Sequence, residues 1–283
     1  MSGTPASRDD RAAAASLAER VLASGHPFPL KRDVARLSDV LVGSLFPQLA
    51  TAPALDTADL ADRLLEACAM FERVAQPLVE LDSSERARAL LAALPRVHEQ
   101  SLEDAHAILA GDPAAESLDE VIAAYPGFLA IAMHRLAHAV HLLEVPVVPR
   151  LMAELAHSRS GVDIHPAATI GRALCIDHGT GIVIGETAVI GDEVKLYQGV
   201  TLGALSVSKA AAGTKRHPTL GDRVVIYANA TVLGGDTTIG ADSIVGGNVF
   251  LTSSVPPGSI VYQTGGYRVR RQRDGFDDAD FVI

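Results

Sequence analysis

The sequence predicts an α+β chain: an all-α domain over residues 1–160, a parallel β-helix over residues 161–262 and a flexible C-terminal tail over residues 263–283. Two observations carry this reading. From residue 162 to residue 256 an aliphatic side chain returns every six positions, with no helix-length segment between the short β-rich pieces. Before residue 160, apolar residues recur at helical spacing and no strand signal appears.

The helices follow in order. Residues 11–22 are Ala-rich and can be helical, but they have little to bury, so fraying is expected. Residues 30–46 are amphipathic, and behind an Asp56/Thr57 cap the set Leu60, Leu64, Leu65, Cys68 and Phe71 repeats the pattern. A helix opening at Ser83 or Ser84 should end at Leu94, where Pro95 breaks it, and residues 97–110 should form the next, stopped by Gly111. Ser117 and Glu120 make a capping box for a short helix ending at Tyr125. Residues 127–143 are the most apolar helix, and after Pro146 and Pro149 residues 150–158 give the last.

The β-helix is read from its anchors. Ile164, Ile170 and Ile176 form one run, and Ile184, Ile190, Leu196 and Leu202 a second. Leu220, Ile226 and Val232 make a third, and Ile239, Val245 and Leu251 close the series. Each hexad is one short strand and a corner, and three hexads complete a triangular coil. Small residues two places before an anchor (Ala168, Ala188, Val194, Val224, Ala230, Ser243) share the narrow interior. About four coils of ~4.8 Å each give a column roughly 20 Å tall, whose open end something must cap.

Composition bounds the function. A hydrophobic fraction of 48% with 4% aromatic residues fits a folded chain of about two domains with a narrow β-prism. The net charge of −10 argues against nucleic-acid binding. No apolar run approaches the ~20 residues of a membrane span, and the first residues have no signal-like core, so a cytoplasmic protein is expected. Cys68 and Cys175 form neither a zinc pattern nor a disulfide framework, and core packing suits them.

Chemistry concentrates where the six-residue rhythm breaks. An eight-residue step carries Asp177 and His178, and a longer excursion from Gly203 to Thr219 carries Lys215, Arg216 and His217. A loop held at both ends by a rigid scaffold is a good carrier of ligand-binding groups. His134, His138 and His141 share one helix face, but no carboxylate or Cys joins them at ligand spacing, so no metal is expected there. The tail pairs a basic run, Arg268 to Arg273, with acidic Asp277, Asp278 and Asp280, which reads as a solvated linker.

These motifs resemble the serine O-acetyltransferases of the hexapeptide-repeat acyltransferase superfamily, in a longer bacterial branch. The matching text is GDPAA from Gly111, YPGFLAIAMHRLAH from Tyr125, VDIHPAATIG from Val162 and IDHGTGIVIGETAVIG from Ile176. YQGVTLGA from Tyr197, KRHP from Lys215 and IYANATVLGG from Ile226 complete it. The resemblance implies a left-handed β-helix and transfer of acetyl from acetyl-CoA to the hydroxyl of L-serine, giving O-acetyl-L-serine on the way to cysteine. It implies His178 as general base with Asp163 orienting its ring. Arg216 would grip the substrate carboxylate, Asp112 and Asp177 would receive its ammonium, and His217 would add a hydrogen bond. Gly203, Ala204, Ala228 and Gly246 would let the acetyl-CoA arm approach the backbone in a groove between neighbouring β-helices, although Tyr227 stands where many relatives carry Gly. It further implies a homotrimer or a hexamer of two trimers, L-cysteine as feedback inhibitor, and O-acetylserine sulfhydrylase as a partner held through Ile283. Rival readings are acetylation of another acceptor such as homoserine or a sugar, a γ-class carbonic anhydrase using His165, His178 and His217, and a non-catalytic scaffold.

Overall fold

The computed structural model describes residues 7–25, 31–52, 54, 56–79, 82–205 and 213–264. Seven described helices come first: α1 (Arg8–Ser24), α2 (Lys31–Leu45), α3 (Thr57–Ala75), α4 (Ser83–Gly111), α5 (Leu118–Ala124), α6 (Pro126–Leu142) and α7 (Val148–Ser160). Gly161, in the left-handed conformation at φ +72°, ends α7, and the first strand starts at Asp163. Helix α1 is capped by reciprocal bonds between Ser7 and Asp10, yet its described side chains are all exposed.

Helix α4 corrects one expectation, because it runs unbroken through Pro95. Its buried face, Ala87, Leu90, Leu94, Val97, Ala105 and Ile108, is continuous across that point, while Pro95 itself faces solvent. The ring costs a hydrogen bond to the carbonyl of Leu91, but breaking the helix there would expose the packed stripe on both sides.

The rest is a left-handed parallel β-helix with three faces. The first face stacks β1 (Asp163–Ile164), β4 (Val183–Ile184), β7 (Thr201–Gly203), β10 (Thr231–Leu233) and β13 (Phe250–Leu251). The second stacks β2 (Thr169–Ile170), β5 (Val189–Ile190), β8 (Thr219–Leu220) and β11 (Thr238–Ile239), and Val255 bridges to Ile239 as a fifth rung. The third stacks β3 (Cys175–Asp177), β6 (Lys195–Tyr197), β9 (Val225–Ile226), β12 (Ile244–Val245) and β14 (Ile260–Val261). The column is therefore five coils tall, one more than the anchor count gave. The fifth coil escapes the hexad reading because Val255 and Val261 lie outside the regular series.

Register places the anchors on top of one another: Ile184 pairs with Ile164 and Leu202, and Leu196 with Ile176 and Ile226. Ala168, Ala188, Val194, Val224, Ala230 and Ser243 are all buried, as their places before the anchors require. One core joins these residues to Phe46, Ala105, Ile108, Phe128 and Ile131, so the helices close the first coil, and a second core lies within the helices. Helix α6 comes so close that a Cβ on Gly127 would lie 2.2 Å from the Ile176 carbonyl oxygen. A buried clasp fastens the junction. Arg135 donates to both Asp104 oxygens at 2.5 and 2.7 Å and to the Gly171 carbonyl at 2.8 Å, and the Leu174 N–H donates to Asp104 at 2.8 Å.

Candidate active site

The two breaks lie on different edges of the prism. His178 sits where the third face turns into the first, and Arg216 and His217 sit where the first turns into the second.

At the third–first edge the two additional residues are absorbed by left-handed backbone at His178 (φ +56°), Gly179 (φ +83°) and Gly181 (φ +84°). A Cβ on Gly179 would meet Val162 and Ile176 side chains at 2.9 and 3.0 Å, so only glycine fits the return to the wall. The His178 side chain is 73% exposed and its Nε2 lies 3.8 Å from Asp177 Oδ1. Asp112, the residue that ends α4, lies beside this edge. Its carboxylate accepts from the Ala114 N–H at 2.9 Å and from the Tyr125 hydroxyl at 2.8 Å. Those two bonds, with Lys195 and His178 nearby, hold Asp112 below the usual carboxylate range, and the same contact pushes Tyr125 up to about 12. Lys195 donates to the Gly111 carbonyl at 2.7 Å and pairs with Asp177 Oδ2 at 3.3 Å. Among the described residues no hydrogen bond joins Asp163 to His178; Asp163 stands in β1 on the first face.

At the first–second edge Arg216 pairs with Glu186, and its N–H donates to Thr187 Oγ1 at 2.9 Å. One buried guanidinium nitrogen, Nη1, has no partner. His217 is buried, and its Nδ1 accepts the Thr187 N–H at 3.1 Å, which leaves the ring proton on Nε2. Burial, seconded by Arg216, lowers the His217 pKa, so the ring is neutral near pH 7. A Cβ on Gly185 would fall 2.0 Å from the ring, so that glycine exists for the imidazole. Lys215 donates to the Thr187 carbonyl at 2.7 Å, tying the return of the excursion to the coil before it.

The groups expected along the acetyl-CoA arm divide between the same two edges. Gly203 ends β7 and Ala204 follows it at the first–second edge, and Ala228 and Gly246 lie at the third–first edge. Gly203 and Gly246 have causes inside the chain, since added Cβ atoms would reach Leu233 at 2.8 Å and the Val261 carbonyl at 3.1 Å. Tyr227 stacks on Tyr197 with ring centroids 5.0 Å apart. Ile283 lies outside the described residues, as does the basic and acidic tail.

Tyr125, Glu186, Thr187 and Lys195 complete the two clusters and carried no signal in the hexad pattern. His134 is buried with its Nδ1 unpartnered, and His138 Nδ1 lies 2.8 Å from the Pro166 carbonyl oxygen. Among the described residues no group of three His, Cys, Asp or Glu is arranged to hold a metal, and no helix is long and apolar enough to cross a membrane.

No protein-family model matches the sequence. The plasmid serine acetyltransferase of Synechococcus elongatus is 50% identical over 186 residues, 64% of this chain and 58% of that protein. The serine acetyltransferase of Helicobacter pylori is 48% identical over 152 residues, 54% of this chain and 86% of that protein. Among solved structures, serine acetyltransferase isoform 3 of Entamoeba histolytica in complex with cysteine superposes with a TM-score of 0.77 at 33% identity, covering 88% of this chain and 86% of that one. The Neisseria gonorrhoeae serine acetyltransferase in complex with serine gives 0.60 at 32%, covering 90% and 92%. A serine acetyltransferase in complex with CoA gives 0.57 at 27%, covering 80% of each chain.

Proposed function

The chain belongs to the serine acetyltransferase family, and we propose that it transfers the acetyl group of acetyl-CoA to the hydroxyl of L-serine, releasing CoA and O-acetyl-L-serine. The observation that carries this reading is the division of charge between two prism edges. Acidic Asp112 and Asp177 with an exposed imidazole stand at one, and Arg216 with an unpartnered guanidinium nitrogen stands at the other. A zwitterion bearing a hydroxyl needs that set: carboxylates for its ammonium, a guanidinium for its carboxylate and a base for its hydroxyl proton.

The two edges flank the first face. A closed ring of three prisms with that face inward sets the third–first edge of each copy against the first–second edge of the next. Val183 and Phe250, exposed on the first face, suit such burial. We therefore infer a homotrimer, in which each site takes His178, Asp177 and Asp112 from one copy and Arg216 and His217 from its neighbour. The acetyl-CoA arm would run in the groove between them, past Ala204 and Ala228.

In the reaction His178 Nε2 takes the serine hydroxyl proton as the oxygen attacks the thioester carbon. The C–S bond then breaks, and the imidazolium returns its proton to the departing CoA sulfur. Asp177 lies 3.8 Å from the ring, close enough to stabilise the imidazolium. L-Cysteine carries the same ammonium and carboxylate, which supports its role as a competitive inhibitor, and the Entamoeba complex with cysteine is in keeping with it. The test is CoA release with serine, homoserine and amino-sugar acceptors. Turnover with serine far above the others is expected, and turnover confined to another acceptor would assign a different acetyltransferase.

A further inference from the structure

Lys195, on the third face with its ammonium reaching toward the third–first edge, is a residue that neither the repeat nor the reaction accounts for. It occupies an outward position of β6, directly above Cys175 of β3 in the register, where a solvated side chain is expected. Instead its side chain is largely covered, with 17% exposed. The ammonium donates to the Gly111 carbonyl at 2.7 Å and lies 3.3 Å from Asp177 Oδ2. It also rests 4.6 Å above the centroid of the Tyr197 ring. Tyr197 in turn stacks on Tyr227 with an interplanar angle of 10°. This two-ring stack offers the ammonium an electron-rich face.

Two elements, α4 and β3, meet at this one cation on β6. The Gly111 carbonyl lies at the C-terminal end of α4, where the helix dipole favours positive charge, and the next residue is Asp112. Asp177 ends β3 and precedes His178, while Tyr125, before α6, holds the other oxygen of Asp112. Cys175 and His178 are the remaining titratable neighbours; burial pushes the Cys175 thiol up to about 11, so it adds no charge at neutral pH, while His178 Nε2 lies 3.8 Å from Asp177 Oδ1 and is common to the parent and every variant. Apart from that imidazole, the local sum is two carboxylates and one ammonium. Two acids without a cation would repel each other and favour uptake of a proton by one of them.

We propose that Lys195 is a positioning residue that ties Asp177 to the end of α4 and leaves the Asp112–Asp177 pair one net negative charge, matched to a substrate carrying a single ammonium. The inference rests on the serine reading above. It also gives Tyr227 a part: with Tyr197 it backs the lysine.

The experiment measures L-serine binding by calorimetry, and turnover, from pH 5 to pH 8.5 for the full-length chain, Lys195→Gln and Lys195→Arg. Gln removes the charge and keeps an N–H donor, on a side chain one bond shorter. In Lys195→Gln the pH below which serine affinity falls should move up by about one unit, with kcat at saturating serine above pH 8 within about threefold of the parent. Lys195→Arg should keep the parent profile. If Gln folds poorly, Lys195→Met with the same Arg rescue gives the same comparison. A Gln variant whose binding profile overlays the parent's, whatever its melting temperature, overturns the proposal while leaving the serine reading intact. A parent enzyme that neither binds nor acetylates serine overturns both.

Discussion

His178 can be removed without loss of core packing, since its side chain stands mostly in solvent. His178→Ala should lower kcat/KM for serine by about a hundred- to ten-thousandfold, the range of a lost general base, while the thermal unfolding midpoint moves by only a few degrees. Histidine and alanine both carry a Cβ in the left-handed backbone at this position, so that conformation adds little to the shift. Near-parental turnover in a well-folded variant would remove His178 from the mechanism. The residues at the breaks were legible because an acid, an imidazole and a guanidinium interrupt an otherwise apolar rhythm. Their partners were not. Thr187 meets His217 across thirty positions of chain, a contact made by stacking one coil on the next, with the excursion between them. Lys195 sits in phase with the hexads, where the pattern asks only for a polar residue. Gly203 and Gly246, expected as openings for a ligand, also stand where an added Cβ would approach the tip of the Leu233 side chain at 2.8 Å and the Val261 carbonyl at 3.1 Å. A small residue in a narrow prism has two explanations that spacing alone does not separate.

At the scale of elements, α6 carries a pH dependence that its sequence hinted at only as a row of histidines. His134 is fully buried beside His138, Arg135 and His165; burial first, then those neighbours, drives its pKa well below the ordinary value. His138 and His165 are lowered too, chiefly by burial, with His141, Arg96, Arg150, Glu186 and Asp163 the other charged or titratable groups that face them. The sign follows from the neutral folded ring. Below the ordinary histidine value of about 6.5 the unfolded chain takes up a proton that folded His134 refuses, so its contribution is full above that pH and is lost as pH falls. Each such histidine contributes a slope of up to about 1.4 kcal/mol per pH unit. Urea unfolding followed at pH 7.5, 6.5 and 5.5 should show stability falling with acid, and His134→Leu should flatten that fall by about 1 kcal/mol between the last two. Parallel curves for the two proteins would mean that His134 is protonated in the folded chain. The same scale explains the misreading of α4. Proline is a local signal, and the packed stripe on either side of Pro95 is a tertiary one worth more than a single hydrogen bond. The missing fifth coil has a similar origin, because Val255 and β14 keep the stacking register of β11 and β12 after the six-residue count has lapsed.

For the whole molecule, the question is whether the two edges of one prism serve one site or two. Within a chain they are separated by the first face, and no hydrogen bond or ion pair among the described residues joins the His178 cluster to the Arg216 cluster. The ring proposed above makes them halves of sites shared between neighbours, and this has a consequence that a self-contained site lacks. His178→Ala and Arg216→Ala should each be nearly inactive alone. When the two are unfolded together in equal amounts and refolded, half the copies contribute an intact third–first edge and half an intact first–second edge. Random assembly then pairs two intact edges at roughly a quarter of the sites, and activity should recover to about that fraction of the parent's. Separately refolded variants, mixed afterwards at a temperature where subunits do not exchange, should stay inactive and so control for residual turnover. Recovery depends only on which copy supplies each residue, and it is insensitive to how strongly either variant binds serine by itself. If the co-refolded mixture forms rings by sedimentation yet remains as inactive as its components, each site draws His178 and Arg216 from the same chain, and the excursion bearing Arg216 must reach across the first face to meet its own His178.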